Sequence, residues 1–270
     1  MVMAELGCVK TKDFEMDYCK FGHGDKIFVI LPGLTVQSVM GAADAIEGSY
    51  NTKADEYTTY VFDRIKVVPE GYAIEDMARD TADAMKELGL KDVYMFGASQ
   101  GGMIAMVIAM EYPELVKKLA LGSTSSHLQP QQQAVFDKWI SLAEAKDAQG
   151  LYQEFGKEIY PENVYEQFKD YFNDVSKTVT DAELKKFVIL AKSIKKINVT
   201  DGLKKINCPV LALGVYEDAV LDSDATMEIA EELDYRPDFK LYMYIGYGHA
   251  AFDTAPDYRK RVFEFYEENE

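Results

Sequence analysis

The sequence lacks three features that mark other classes of protein: a cysteine framework, a long apolar run and an apolar leader. Its three cysteines, Cys8, Cys19 and Cys208, include no CxxC pair, which is typical of unpaired thiols in a reducing compartment. The longest apolar run, residues 103–110, is far shorter than the ~18 residues that indicate a membrane span. The first residues are charged and lack the apolar core of a signal peptide. We therefore expect a cytoplasmic protein.

Basic residues and histidines are also scarce, and their scarcity limits the possible partners. Lys and Arg number 29 against 46 Asp and Glu, which gives a net charge of −17. Such an acidic surface repels phosphate backbones and anionic lipids, so we expect neither nucleic acid nor membrane as a partner. The three histidines are far apart in the chain and form no metal-ligand motif, so no metal site is expected. The oligomeric state cannot be read from the sequence.

Strand and helix patterns alternate through the first third of the chain and again near its end. Residues 14–22 alternate as an antiparallel strand does, and the continuous apolar run at 26–34 is typical of a strand buried on both faces. Further strands are predicted at residues 57–67, 92–96, 116–123, 209–215 and 240–247. Helices are predicted at residues 74–88, 102–112, 223–233 and 257–267. Because single helices connect the strands, we expect an α/β fold with a doubly wound, mostly parallel sheet.

The alternation is interrupted between about residue 123 and residue 206. This stretch contains four amphipathic helix patterns rich in Tyr, Phe and Leu, and no convincing strand. We interpret the chain as one discontinuous α/β core, residues 1–122 and 207–270, with an all-helical lid inserted at residues 123–206. The lid aromatics either line an apolar pocket or pack the lid helices onto the core, and packing explains most of them.

A serine between glycines lies where a predicted strand meets a predicted helix. Gly97-Ala98-Ser99-Gln100-Gly101 fits the pattern GxSxG. A sharp strand-to-helix turn strains its central residue, and bulky side chains two residues away on either side would clash. Gly97 and Gly101 satisfy this requirement, so the Ser99 hydroxyl would stand clear of the chain at a helix N-terminus. The alternatives are a chance match and a phosphate loop, but the segment lacks GxGxxG and GxxxxGK[ST].

Five segments, taken in order, make the sequence resemble the α/β-hydrolase superfamily over essentially its whole length. They are ILPGL, FDR, FGASQGG, VLALGVYEDAVL and YGHAAFDTAPDY. The resemblance implies that Ser99 is the nucleophile of a nucleophile elbow. It also implies that Asp218, after the strand that follows the lid, is the orienting acid, and that His249, in a Gly-His pair after the last strand, is the base.

Other residues near these positions remain alternatives for the acid and the base. The carboxylates that could replace Asp218 are Glu217, Asp222 and Asp224. His23 is placed in a hairpin turn before the central strand, and His127 lies where the lid begins and could line the pocket. Only His249 has both the flanking glycine and the loop after a strand. We therefore expect the other two histidines to be ordinary surface or lid residues.

The implied chemistry requires these residue types. A serine hydroxyl becomes nucleophilic at neutral pH when an imidazole accepts its proton, and a carboxylate holds the imidazole in the correct tautomer. By resemblance, the backbone N–H of Gln100 is one donor to the oxyanion, and the N–H of Leu34, which follows Pro32-Gly33, is the other. Thr35 is a less favoured second donor.

The resemblance implies a serine hydrolase that cleaves a small to medium carboxylic ester, thioester or lactone through an acyl-enzyme. This chemistry needs no cofactor, and its partner is a small acyl substrate. Because residue 99 is neither Asp nor Cys, the epoxide-hydrolase and haloalkane-dehalogenase branches are disfavoured. C–C bond hydrolysis and acyl transfer by the same three residues remain alternatives, as does a non-catalytic ligand receptor of the same fold.

Overall fold

The computed structural model describes residues 4–268, and an eight-stranded sheet runs through them. The strands are β1 (Glu5–Lys10), β2 (Glu15–Phe21), β3 (Lys26–Leu31), β4 (Tyr57–Ile65), β5 (Val93–Ala98), β6 (Val116–Gly122), β7 (Val210–Val215) and β8 (Phe239–Tyr244). Their order across the sheet is β1-β2-β4-β3-β5-β6-β7-β8. β2 pairs antiparallel with β1 and β4, and the remaining neighbours pair in parallel.

Helices connect the parallel strands. Within the described residues the α-helices are α1 (Ala43–Tyr50), α2 (Ile74–Glu87), α3 (Gln100–Glu111), α4 (Gln133–Glu144), α5 (Ala148–Ile159), α6 (Glu162–Ser176), α7 (Asp181–Ile194), α8 (Asp222–Leu233), α9 (Ala251–Thr254) and α10 (Tyr258–Glu267). This architecture confirms the predicted α/β class with a mostly parallel, doubly wound sheet. None of these helices combines the length and the hydropathy that a membrane span requires.

The central strand β3 shows why the predicted apolar run is continuous. Val29 and Leu31 belong to one buried apolar cluster, and Phe28 and Ile30 belong to another. Successive side chains of a strand point to opposite faces of the sheet, so the two clusters lie on its two faces. A strand buried on both sides carries a continuous run of apolar residues, which is the pattern seen at residues 27–31.

Helices α4 to α7 occupy the chain between β6 and β7, where four helices are predicted. We call residues 123–206 the helical insertion. Buried residues of the insertion, including Trp139, Leu151 and Phe187, belong to the same apolar cluster as the core helix residues Met77 and Met103. The insertion therefore shares a continuous apolar contact with the α/β core.

Two local expectations differ from the structure. His23 is not in a hairpin turn, because β4 lies between β2 and β3 in the sheet. β1 and α1 are present but have no counterpart among the predicted elements. Of the β1 residues only Val9 is buried, and α1 buries only Ala43 and Tyr50. Neither segment therefore has the apolar periodicity from which such elements are predicted.

The buried side chain of Lys118 on β6 caps the last helix. Its Nζ donates hydrogen bonds to the carbonyl oxygens of Phe265 at 3.2 Å, Tyr266 at 2.8 Å and Glu268 at 2.6 Å. Carbonyls in the last turn of a helix have no N–H partner within it, and a cation there is favourable. Burial lowers the pKa of Lys118, the expected cost of taking an ammonium out of water. The hydrogen bonds to the three carbonyls offset the free-energy cost of burying the ammonium.

Replacing Lys118 by methionine would leave these carbonyls without their donor. We expect Lys118→Met to lower the free energy of unfolding by roughly 1–3 kcal/mol, the usual cost of a buried polar group without a partner. Urea denaturation followed by circular dichroism measures the change. Lys12→Met, at a lysine whose side chain is 90% exposed, is the matched control. Equal stabilities of the two variants would contradict the capping role.

Candidate active site

The turn from β5 to α3 holds Ser99 in a strained backbone conformation. Ser99 has φ 51° and ψ −121°, which is outside the regions that residues with a side chain ordinarily adopt. Its N–H donates to the carbonyl of Gly122 at 2.8 Å, and its carbonyl accepts from Thr124 Oγ1 at 2.7 Å. These bonds to the end of β6 hold the turn in place, as expected where surrounding structure maintains strain at a functional site.

The flanking glycines allow close backbone contact on both sides of the turn. A Cβ at Gly97 would lie 2.4 Å from the carbonyl oxygen of Gly101. A Cβ at Gly101 would lie only 1.9 Å from the carbonyl oxygen of Leu31, at the end of β3. Both contacts are with main-chain atoms, which cannot move aside by a change of rotamer. Any side chain at either position would therefore push the helix away from the sheet.

Asp218 and His249 form a buried hydrogen-bonded pair. His249 Nδ1 lies 2.8 Å from Asp218 Oδ2, and the two residues are 3% and 6% exposed. The other carboxylate oxygen, Oδ1, accepts from the backbone N–H groups of Val220 at 2.8 Å and Leu221 at 3.0 Å. The loop after β7 thus fixes the carboxylate, and the carboxylate fixes the ring. Nε2 remains as the ring nitrogen that can exchange a proton elsewhere.

Ser99 follows β5, Asp218 follows β7 and His249 follows β8, so all three lie at the carboxyl end of the sheet. Among the described residues, no hydrogen bond joins the Ser99 hydroxyl to His249, whose ring contacts Asp218. Such contacts are often long without substrate and shorten when it binds. The structure therefore brings Asp218 and His249 into contact and places Ser99 at the same edge of the sheet.

The alternative carboxylates make other contacts. Glu217 Oε2 accepts the backbone N–H of Gly246 at 2.7 Å. Asp222 Oδ1 accepts the N–H of Asp224 at 3.0 Å in the first turn of α8. In the part of the chain that the structure describes, neither Glu217 nor Asp222 has a hydrogen bond to His249.

The other two histidines lie outside this constellation. His23 is largely exposed and its Nε2 lies 3.0 Å from Asp55 Oδ1. His127 lies in the first part of the insertion, with Nδ1 3.4 Å from Gln129 Nε2 and 3.8 Å from Glu228 Oε1. Neither contacts Asp218 through a hydrogen bond in residues 4–268.

Two backbone N–H groups beside Ser99 are available to a ligand. Among the described residues, neither the N–H of Gln100 nor that of Leu34 donates a hydrogen bond to another protein group. The loop that carries Leu34 packs on the serine, because a Cβ at Gly33 would lie 3.2 Å from Ser99 Cβ and 3.8 Å from Ser99 Oγ. Donors in this arrangement can stabilise negative charge that develops next to the hydroxyl.

Two of the three thiols, those of Cys19 and Cys208, are poorly suited to act as nucleophiles. Burial raises the pKa of Cys19 to about 11 and that of Cys208 to about 12. A thiol reacts as the thiolate, so the raised pKa values disfavour reaction of these two groups at neutral pH. Within residues 4–268, His, Cys, Asp and Glu side chains are nowhere grouped in threes as a metal site requires.

The loops around the candidate site are hydrogen-bonded to the helical insertion, and the sequence does not predict these bonds. Three of them run from Gln100 Nε2 to the Leu190 carbonyl at 2.9 Å, from Ala250 N to the Ile159 carbonyl at 2.9 Å, and from Gln132 Nε2 to the Leu221 carbonyl. The acceptor in each of these three is a main-chain carbonyl, which all residues carry. No sequence pattern marks such contacts.

Comparison with known proteins places this geometry in context. A family model described as the alpha/beta hydrolase fold matches residues 49–256. RutD of Pantoea ananatis (strain LMG 20103), named a putative carbamate hydrolase, is 23% identical over 193 residues, 70% of this chain and 69% of RutD. The serine hydrolase BPHL of Mus musculus is 24% identical over 163 residues, 53% of each protein. MGS-M2, an alpha/beta hydrolase enzyme from a Medee basin deep-sea metagenome library, has a TM-score of 0.85 and 20% identity, covering 98% of both chains.

The glycine contacts can be tested by adding a single methyl group. We expect Gly101→Ala to lower the free energy of unfolding by about 3 kcal/mol or more, because overpacking against rigid backbone is costly. Gly48→Ala is the matched control, since a Cβ there has nothing within 4 Å. In helix α1 that change should raise stability by about 0.5–1 kcal/mol. Urea denaturation gives both values, and a Gly101→Ala protein of wild-type stability would contradict the close contact.

Proposed function

The chain belongs to the alpha/beta hydrolase fold family, and we propose that it is a serine hydrolase in which Ser99, His249 and Asp218 form the catalytic triad. The observation that carries this proposal is the buried hydrogen bond between Asp218 and His249 at the sheet edge where Ser99 is held in strain. A binding protein does not require an oriented base beside a strained turn. The proposed substrates are small to medium carboxylic esters, thioesters and lactones.

In the proposed reaction, Ser99 Oγ attacks the acyl carbon while His249 Nε2 takes the hydroxyl proton. Asp218 stabilises the resulting imidazolium through Nδ1. The carbonyl oxygen becomes an oxyanion that accepts from the N–H groups of Gln100 and Leu34, each donor contributing about 3 kcal/mol. His249 returns the proton to the leaving group, which departs and leaves the acyl-enzyme. Water then attacks with the same base, and Ser99 is regenerated.

We propose that the helical insertion, residues 123–206, is a lid over this site, and that residues 1–122 and 207–270 form the core. Its bonds to the loops of Gln100, Leu221 and Ala250 support this placement. Its aromatic side chains mostly pack on one another: the rings of Trp139 and Phe155, for example, lie 4.6 Å apart between centroids. They therefore support a packed lid and do not define the length of the acyl chain.

Carbamates are a second candidate substrate class. The relative that aligns with 70% of this chain is named a putative carbamate hydrolase. A carbamate carbonyl would be attacked by the same serine and stabilised by the same two N–H donors, so the proposed triad needs no change. Whether the enzyme prefers esters or carbamates depends on the leaving group and on the shape of the pocket.

The proposed nucleophile is tested by labelling the purified protein with a fluorophosphonate probe, which modifies activated serines. We expect one adduct, found by intact mass and mapped to the peptide of Ser99. The adduct should be absent in Ser99→Ala, and labelling should be slower by about 10²-fold or more in His249→Ala, because the base is lost. A folded wild-type protein that takes up no probe would contradict the proposal.

The proposed acid is tested against its neighbour in sequence. Asp218→Asn keeps an oxygen at the site but supports the wrong imidazole tautomer, so we expect kcat to fall on the order of 10³–10⁴-fold. Glu217→Gln is the matched control and should keep kcat near the wild-type value. Steady-state hydrolysis of p-nitrophenyl acetate by both variants gives the comparison. The reverse ranking would assign the acid to Glu217.

The substrate class is tested with p-nitrophenyl esters of increasing acyl length, a thioester, a lactone and a phenyl carbamate. We expect the highest kcat/KM within the ester, thioester and lactone group. A higher kcat/KM for the carbamate would select the second candidate. Products identified by mass spectrometry distinguish hydrolysis from acyl transfer to an alcohol supplied in the assay.

A further inference from the structure

A buried arginine lies directly behind the candidate oxyanion donors. Arg64, near the end of β4, is 5% exposed, and its Nη2 donates to the Pro32 carbonyl at 2.7 Å. Nε and Nη2 also donate to Gln100 Oε1 at 3.3 Å and 3.2 Å. Burial lowers the pKa of Arg64 to about 10, and the charge of Asp63 acts in the opposite direction. The side chain therefore remains a cation at neutral pH.

The carboxylate of Asp63 does not hold this cation through a side-chain hydrogen bond. Its Oδ1 accepts the backbone N–H of Arg64 at 2.7 Å, and its Oδ2 accepts from Ser38 Oγ at 2.5 Å. The guanidinium is instead bonded to neutral oxygens of Pro32 and Gln100. Burying a cation among neutral acceptors is costly, so its presence is weak evidence for a stabilising role.

The amide of Gln100 continues the connection into the insertion. Gln100 is 0% exposed, and its Nε2 donates to the Leu190 carbonyl at 2.9 Å and lies 3.4 Å from Ser193 Oγ. Leu190 and Ser193 belong to helix α7. A continuous path therefore runs from the loop before Leu34, through Arg64 and Gln100, to α7.

We propose that Arg64 and the Gln100 side chain are positioning residues that set the placement of the two oxyanion donors. Through them, the placement of the donors depends on the position of helix α7. Arg64 holds the Pro32 peptide, two residues before Leu34, and the Gln100 amide holds the residue whose own N–H is the other donor. Neither side chain touches substrate. This proposal rests on the proposed function of Ser99.

The expected effect follows from the geometry of oxyanion stabilisation. Donors act when they lie about 2.7–3.1 Å from the oxyanion, and a misplacement of about 1 Å can lower a rate on the order of 10²-fold. Ground-state binding of the substrate depends little on these donors. Breaking the path should therefore lower kcat and leave KM nearly unchanged.

Two variants separate the two halves of the path. Gln100→Glu keeps an acceptor for Arg64 but removes the donor to the Leu190 carbonyl, and Arg64→Met removes the bond to Pro32. Both keep the backbone N–H of residue 100. Lys192→Ala is the matched control, because it removes an exposed ion pair between α7 and Glu144 without touching the path.

For each protein, kcat and KM on p-nitrophenyl acetate are measured together with the inhibition constant of a trifluoromethyl ketone, whose serine adduct carries an oxyanion. We expect kcat to fall about 10- to 100-fold in both variants, KM to change less than about threefold, and the inhibition constant to rise in proportion. Lys192→Ala should match the wild type. If Arg64→Met does not fold, Gln100→Glu alone decides.

The two proposals fail in different ways. If wild-type protein is labelled at Ser99 and turns over ester while Gln100→Glu retains wild-type kcat and inhibition constant, the positioning role is overturned and the triad stands. A variant that loses thermal stability but keeps kcat likewise overturns the positioning role. If the wild type neither takes up the probe nor hydrolyses ester, the triad itself is overturned.

Discussion

The close approach of main chain to main chain around Gly101 is the constraint on which the rest of the site depends. With the Leu31 carbonyl where a Cβ at Gly101 would lie, α3 can begin directly against the end of β3. That contact leaves Ser99 no ordinary backbone conformation, and it brings the first N–H groups of the helix beside the loop of Leu34. The strain at Ser99 and the nearness of these N–H groups to it are therefore consequences of one packing contact. A looser turn would relieve the strain and separate the donors.

Much of this architecture could be predicted because it requires particular residue types at particular positions of the sequence. Neighbouring atoms exclude water from β3 and from the buried faces of the insertion helices, and they exclude side chains at residues 97 and 101. The sequence shows this as an apolar run, as helical spacing and as two glycines. β1 and α1 escaped prediction because most of their side chains face solvent, where periodicity is not needed. The placement of His23 in a hairpin was wrong because chain order does not fix sheet order: β4 separates β2 from β3.

The sequence placed Ser99, Asp218 and His249 after three different strands, and the structure brings the last two into contact. The side-chain contacts behind them could not be foreseen. Arg64 lies in the segment FDR and Gln100 in FGASQGG, but neither segment indicates that these side chains bond to each other, to Pro32 and to Leu190. A main-chain acceptor leaves no pattern in the sequence, because every residue offers the same carbonyl.

The bonds between the helical insertion and the loops around the site have a consequence for divergence within such a fold. At two of these bonds the insertion contributes only a carbonyl, from Leu190 and from Ile159, whereas at others it contributes a side chain, as Tyr152 does to Gln37 and Tyr160 does to Asp253. Substitutions there leave the anchor intact as long as the helix keeps its path. Ile159 and Leu190 can therefore be replaced by other residue types while these two attachments to the core persist. An evolving lineage can thus accumulate point changes at these two positions of the insertion and keep the same main-chain contacts with the core.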